Sequence, residues 1–327
     1  MLNIAILAFD NCLLSSIAGP LDLFTVANWD YKKRNKTDAA PFCQWEILTV
    51  DGGPVICFSQ EPLVPHRSIK DCRTPDLIIL PSVLGNIEAL RQEKEAIVWI
   101  KAQHERGAVV ASICAGAFLA AEAGILNGRE ATTHWQLADR FRQTFRKVKL
   151  QVDQILIDGE DYLCAAGTSA HQDLSIYIVE KYGSAELADT CARMMLIDRG
   201  RRNQAPYIRF RRQKNHGDEK IAAVQRYLEK NLTRRTSVVS MAEMAEMVER
   251  TFLRRFKKAT GDTPLEYMQR LRIEAAKRLF ENGETRIDLI TKAVGYEDTS
   301  SFRRLFKQIV GVSPTVYRRR YVELQGS

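Results

Sequence analysis

No C-x-x-C pair occurs among the seven cysteines of this 327-residue sequence, which are Cys12, Cys43, Cys57, Cys72, Cys114, Cys164 and Cys191. Zinc ribbons are built on such pairs, and disulfide frameworks use an even number of cysteines. The pattern therefore argues against both and for a reducing compartment. Long apolar runs are also missing. The uncharged stretch from Gly107 to Ala121 is shorter than the roughly 18 residues a membrane span needs. The N-terminal MLNIAILAFD has no basic segment and reaches Asp10 before an apolar run can form, so it does not read as a signal peptide. A cytoplasmic protein with no membrane association is expected, and no metal or cofactor motif is read.

What is present fits a folded chain. Hydrophobic residues make up 45% and charged residues 27%, ordinary globular values, and the length predicts two domains. The charge is unevenly placed. Of the net +8, residues 1–198 carry −6, residues 199–216 carry +7 and residues 217–327 carry +7. An acidic part joined to a basic part is what a chain needs when one half meets a polyanion and the other does not.

Apolar runs alternate with helical patterns through the first part. Strands are predicted near Ile4–Phe9, Trp45–Val50, Leu77–Leu80, Ala108–Ile113, Ile155–Ile157 and Tyr162–Ala165. Helices are predicted over Ile17–Trp29, Asn86–Glu105, Ala115–Ala123 and Ala170–Lys181. Helical crossovers between strands imply a parallel sheet in an α/β layer. Strand signals stop after about residue 183, and the basic stretch 199–216 reads as an exposed linker. Beyond it everything reads as helix.

The last third repeats itself. Phe252, Arg254, Phe256, Lys257, Gly261, Pro264 and Tyr267 recur fifty positions on as Phe302, Arg304, Phe306, Lys307, Gly311, Pro314 and Tyr317. Each copy is a short helix, a tight turn and a second helix, the layout of a helix-turn-helix. The phenylalanines, spaced i, i+4, should face the core. That leaves Arg250, Thr251, Leu253 and Arg254 in the first copy, and Thr299, Ser300, Arg303, Arg304 and Lys307 in the second, for the major groove of double-stranded DNA. The helix over Pro264–Glu281 spans roughly 27 Å at 1.5 Å per residue. Successive groove faces lie about 34 Å apart, so one chain could address two turns of a duplex. The alternative is a generic bundle whose arginines are a solvated face.

Residues 220–321 resemble the DNA-binding domain of AraC-family transcription regulators, most closely through GYEDTSSFRRLFKQIVGVSPTVYRRR in the second copy. The first copy departs from that pattern at the turn, where Gly is replaced by Glu246, and at the helix cap, where Ser is replaced by Val248.

AVVASICAGAFLAAEAGIL has the form of a nucleophile elbow, a buried strand turning sharply at Cys114 into a helix of small residues. Such a turn holds the thiol at the carboxyl end of the sheet, and the helix N-terminus should lower its pKa. With ATTHWQLADRF, LIDGEDYLCAAGTSAHQDL and AGPLDLF, the stretch resembles the PfpI-like superfamily. Nearly the whole chain thus resembles AraC-type regulators with a PfpI-like (GlxA-like, class I glutamine amidotransferase-like) sensor. The implied fold is an α/β flavodoxin-like parallel-sheet N-terminal domain plus an all-α C-terminal domain with two helix-turn-helix units. The implied boundaries are 1–198, a linker at 199–216, and 217–327.

In the superfamily the elbow cysteine can be hydrolytic, assisted by a histidine and an acid. Here His134 is retained, the residue after the cysteine is Ala115, and the acid position is Ser16. No catalytic residue is therefore assigned. A ligand pocket walled by Ser16, Cys114, Ala115, His134, Trp135, His171 and Asp173 is expected instead. Trp135 offers a π face to a cationic ligand, and His171 stands where this regulator group usually has Gly and should narrow the site. The alternative for Cys114, His134 and Trp135 is that they are core side chains. The leading function is a transcription regulator, an activator by family habit. It would respond to a small-molecule effector such as an amine or amino-acid derivative, form a homodimer through the N-terminal domain, and meet RNA polymerase if it activates. A cysteine-dependent hydrolase or glyoxalase-like enzyme, and a redox sensor acting through Cys114, are the rivals.

Overall fold

A computed structural model describes residues 1–35, 40–210 and 216–321. The chain divides into two units, Met1–Gln204 and Ala205–Ser327.

The first unit is built on seven strands: β1 (Leu2–Leu7), β2 (Cys43–Thr49), β3 (Arg67–Ser68), β4 (Leu77–Leu80), β5 (Val109–Ile113), β6 (Leu156–Asp158) and β7 (Tyr162–Ala165). They lie in the order β6-β7-β5-β4-β1-β2-β3. Every neighbouring pair is parallel except β6 with β7. The central strands LNIAIL, LIIL and VVASI are almost continuously apolar, as a sheet covered by helices on both faces requires. From β1 the chain runs first to β2 and β3 on one side, then returns to β4 on the other. The carboxyl ends of β1 and β4 therefore flank a topological switch, where open α/β sheets place their sites.

The helices of this unit are α1 (Ser15–Asn35), α2 (Ile87–Arg91), α3 (Lys94–Glu105), α4 (Ala117–Glu122), α5 (Ala138–Thr144), α6 (His171–Tyr182) and α7 (Ala185–Met194). Three features differ from expectation. The single helix expected over 86–105 is broken between Arg91 and Lys94, where Glu93 takes a non-helical ψ of 66°. Helix α5 is not among the expected ones, and neither is α7. Ser184 caps α7 through the Leu187 N–H at 3.1 Å, and α7 buries Leu187, Ala188, Cys191 and Ala192.

The basic stretch also differs from a free linker. Gln204 is 5% exposed. Its backbone N–H donates to Asp153 O at 2.7 Å, and its side chain donates to Thr133 O at 2.9 Å and to Val152 O. Ala205 and Pro206 are buried as well. Charge and absent periodicity predicted solvent, but one buried amide with three partners holds the segment down. Residues 211–215 of that stretch lie outside the described residues.

The second unit comprises α8 (Glu219–Lys230), α9 (Val238–Met244), α10 (Glu249–Thr260), α11 (Pro264–Glu281), α12 (Ile287–Ala293), α13 (Thr299–Val310) and α14 (Pro314–Tyr321). It has two apolar cores. Ile221, Val224, Leu228, Met241, Phe252 and Phe256 make the first with Tyr267, Met268 and Leu271 of α11. Ile273, Ala276 and Phe280 of α11 make the second with Ile290, Phe302, Phe306 and Tyr317. One continuous helix thus carries a core at each end. It begins with a capping box between Thr263 and Glu266 and has Pro264 in its first turn, an arrangement that satisfies two otherwise orphaned N–H groups.

Candidate functional site

Cys114 follows β5 with φ at +56°, a left-handed backbone that non-glycine residues rarely adopt. The chain then enters a short turn and α4. A Cβ at Gly116 would lie 2.5 Å from Leu80 O, so only glycine lets this turn pack on β4. The elbow expected from the sequence is present. Its chemistry is not the expected one. Cys114 is 3% exposed, and burial pushes the thiol up despite opposing hydrogen bonds from Ser82, Ala115, Thr168 and Gly167. Helix α4 has six residues, too short a dipole to outweigh desolvation.

Ser16 is sealed rather than facing a pocket. Its hydroxyl donates to Leu13 O at 2.7 Å and accepts from Ser82 N–H at 3.0 Å. Ser82 in turn meets the Thr168 hydroxyl at 3.3 Å. Ser82 had no signal in the sequence and proves to join Ser16 to the elbow. Ala115 is fully buried. Thr133, beside His134, donates its hydroxyl to Cys114 O at 2.7 Å. His134 Nδ1 accepts from Gln136 N–H at 3.1 Å, capping the next turn, and its ring stacks on Trp135 with centroids 5.6 Å apart. Cys114 and His134 both border Gly167, whose Cβ would lie 3.5 Å from His134 Cδ2.

His171 opens α6 and is 8% exposed. Its ring sits against Gly19 of the AGP motif, where a Cβ would lie 2.2 Å from Cε1. The histidine takes the room that the glycine leaves. Its buried Nδ1 has no hydrogen-bond partner among the described residues. Burial, followed by the nearby charge of Arg201, pushes the imidazole down to about 4, so it is neutral at pH 7. Asp173, expected in the pocket wall, is engaged instead by Arg201, which also donates to Ser169 Oγ at 3.0 Å. Burial pushes the Asp173 carboxyl up against that partner. Two surface depressions, of about 400 and 460 Å³, are lined by Tyr31, Arg34 and Ser184 and by Trp45, Arg67 and Arg73 respectively. None of the seven predicted wall residues borders either one. At the elbow itself Ser16, Cys114 and Ala115 are buried from solvent.

In the second unit the expected division of faces holds. Phe252, Phe256, Phe302 and Phe306 are fully buried, while Arg250, Arg254, Ser300, Arg303, Arg304 and Lys307 are exposed and Thr251, Leu253 and Thr299 half-buried. The two turns are equivalent, with φ of +52° at Glu246 and +83° at Gly295. Asp298 caps α13 through Ser300 N–H at 3.1 Å and Ser301 N–H at 2.7 Å. Val248 supplies no such bond to α10. Both recognition helices end on left-handed glycines, Gly261 and Gly311.

This geometry agrees with what the chain is similar to. The helix-turn-helix domain family matches residues 241–320 and the DJ-1/PfpI family matches residues 23–181. The transcriptional regulator CdhR of Pseudomonas aeruginosa is 26% identical over 279 residues, covering 84% of this chain and 82% of the relative. GbdR of the same organism is 22% identical over 314 residues, covering 95% and 83%. The chain is an AraC-type regulator with an N-terminal DJ-1/PfpI domain. A solved AraC family transcriptional regulator from Pseudomonas putida superposes with a TM-score of 0.52 at 16% identity, over 60% of this chain and all of that one, which supports the fold. The regulator therefore binds DNA through its helical unit, and the hydrolase and redox readings are not favoured. No described helix is long and apolar enough to cross a membrane.

Proposed function

We propose that this regulator recognises two adjacent major-groove faces of double-stranded DNA with α10 and α13, under control of a small effector that acts at the Cys114 elbow. The observation that carries the reading is the pair of helix-turn-helix units, each with its own core and an exposed basic face, on the single helix α11. Arg303, Arg304 and Lys307, with Thr299 and Ser300, form the better-ordered reading face, and Arg250, Thr251, Leu253 and Arg254 the other. The elbow serves as a binding device and not as a catalyst. Ser16 replaces an acid and is already bonded, and burial keeps Cys114 protonated. Amines and amino-acid derivatives are the first effectors to try, admitted when the Thr168–Asp173 segment opens. The protein acts in the cytoplasm as a homodimer joined through the α/β unit, and as an activator touching RNA polymerase.

Selection of bound duplexes from a random pool by the intact protein tests the reading. A defined bipartite site is expected, with affinity falling steeply with salt as phosphate counterions are released. Enrichment of no sequence would overturn it. Thermal shift of the intact protein against the same effector set, with Cys114→Ala alongside, locates the effector response.

A further inference from the structure

Two buried charged side chains in the middle of α11 have no role in either core. Lys277 is 4% exposed and Glu274 9%, and their charged ends are 3.5 Å apart. Both grip the incoming chain. Lys277 Nζ donates to Ile208 O at 2.6 Å, and Phe210 N–H donates to Glu274 Oε2 at 3.4 Å. The contacts continue on both sides. The Phe210 ring packs edge-on against Tyr267 of the first core at 5.2 Å. Arg209 pairs with Glu281 at 3.9 Å, and Lys277 lies 5.7 Å from the Tyr317 ring of the second core. The turn Ala205–Tyr207 lies against α13, the second recognition helix.

Residues 205–210 therefore cross the junction between the two cores and touch both. Burying an ion pair in the interior costs desolvation that packed apolar groups would avoid, so stability alone does not account for it. What the pair adds is direction, because it accepts and donates only to a backbone laid at one place along the helix. We infer that residues 205–210 are a strap belonging to the DNA-reading unit, and that Lys277 and Glu274 are positioning residues that set the spacing between the two recognition helices. The strap directly follows the last residue of the α/β unit. Gln204, the residue before it, is held by Thr133 of the α/β unit, whose hydroxyl reaches the Cys114 carbonyl.

The test uses the intact protein, and it rests on the bipartite reading proposed above. Sites are selected from a random duplex pool and then rebuilt with one or two base pairs inserted between the half-sites. Each inserted pair shifts the second half-site by about 3.4 Å and 34°. For the natural sequence an insertion should cost affinity as a mismatched site does, roughly 5- to 150-fold. The double substitution Glu274→Leu with Lys277→Met removes both grips while leaving no charge stranded, so thermal stability should hold. The insertion penalty should shrink to about 3-fold or less if the helices then reach alternative spacings without cost. A merely structural pair predicts the opposite split, altered stability with an unchanged penalty, and that result overturns the inference. If the double variant fails to fold, Phe210→Ala at the half-buried end of the strap decides between the same two outcomes. Failure to select any site would instead count against the DNA-reading proposal. A site with one half only would likewise count against the bipartite reading, and a bipartite site with no preferred spacing would count against the strap.

Discussion

The two helix-turn-helix units share seven aligned identities and the same buried phenylalanine pairs, yet they differ at the turn and at the cap. In the second, glycine occupies the left-handed position and aspartate caps the reading helix. In the first, Glu246 holds the same backbone and Val248 leaves the cap open. The fold tolerates both because each core is closed by α11 irrespective of the turn. Local chemistry then sets how firmly each reading helix is held, and it does so unequally.

The comparison breaks most severely at Gly295. A Cβ there would lie 2.8 Å from Thr233 Cα and 3.0 Å from Leu232 O, in the loop that Arg272 ties down through Leu232 O at 2.8 Å. Neither atom is the end of a flexible side chain. Gly295→Ala should cost about 3 kcal/mol, from positive-φ strain and backbone overlap together. Hydrogen exchange of α13 amides would report it, with α10 amides losing less protection. Equal loss in both helices would mean that the two units unfold as one.

Next in size is the reading itself. Arg303→Ala or Arg304→Ala should each cost about 1–3 kcal/mol at the selected site and relax base preference there. Arg250→Ala and Arg254→Ala should weaken binding more evenly across sequences, as loss of phosphate contacts does. Anisotropy titrations on selected and scrambled duplexes separate the two patterns. Identical patterns would show that the open cap on α10 does not affect readout.

How much of this was legible beforehand follows from which residues declare themselves. The repeat, the buried phenylalanines and the bounds of α11 were readable because periodicity and spacing are local. The elbow was readable from small residues after an apolar strand. The state of its thiol was not, because it is set by burial against hydrogen bonds from Ser82 and Thr168, which arrive from other loops. Gln204 was missed for a similar reason. In a stretch of seven basic residues a single amide looks ordinary, and only its carbonyl partners at 133 and 152 reveal a buried anchor. His171 was expected to narrow the site, and its partner Gly19 lies 152 positions away.

The cap offers a smaller contrast that can be reversed. Val248 already has cap geometry, with φ −68° and ψ 145°. Val248→Asp should therefore stabilise α10 by about 1 kcal/mol, and Asp298→Ala should loosen α13 by a few degrees in its local melting. Acid sharpens the test. The Ser301 hydroxyl, then the Ser301 and Ser300 N–H groups, hold the Asp298 carboxyl below its ordinary 3.8. A carboxyl depressed in the fold contributes stability above the ordinary value and loses it as pH falls through the lower one. Protection of α13 should decline over that acid range, and α10, whose Arg255 is held by an Asp218 carboxyl that is likewise depressed, should lose more protection in the Val248→Asp protein than in the unsubstituted one. Identical acid curves for α13 in the unsubstituted and Asp298→Ala proteins would remove Asp298 from the account.

The smallest effect expected is at Glu246, and it isolates the backbone from everything else. Its φ of +52° is a position where glycine pays no steric cost but gives up more chain entropy on folding. Its carboxylate pairs with Lys220 at 2.7 Å across an exposed surface, a contact of little worth. Glu246→Gly thus removes strain, adds an entropy cost and loses a weak pair. The net should be a gain of about 2 °C, small because the first two terms nearly offset each other. Glu246→Ala keeps the strain and loses the pair, so it should melt below both. If Glu246→Ala instead melts with Glu246→Gly, the strain of the left-handed turn is no larger than glycine's entropy cost, and the difference between the two units reduces to the cap alone.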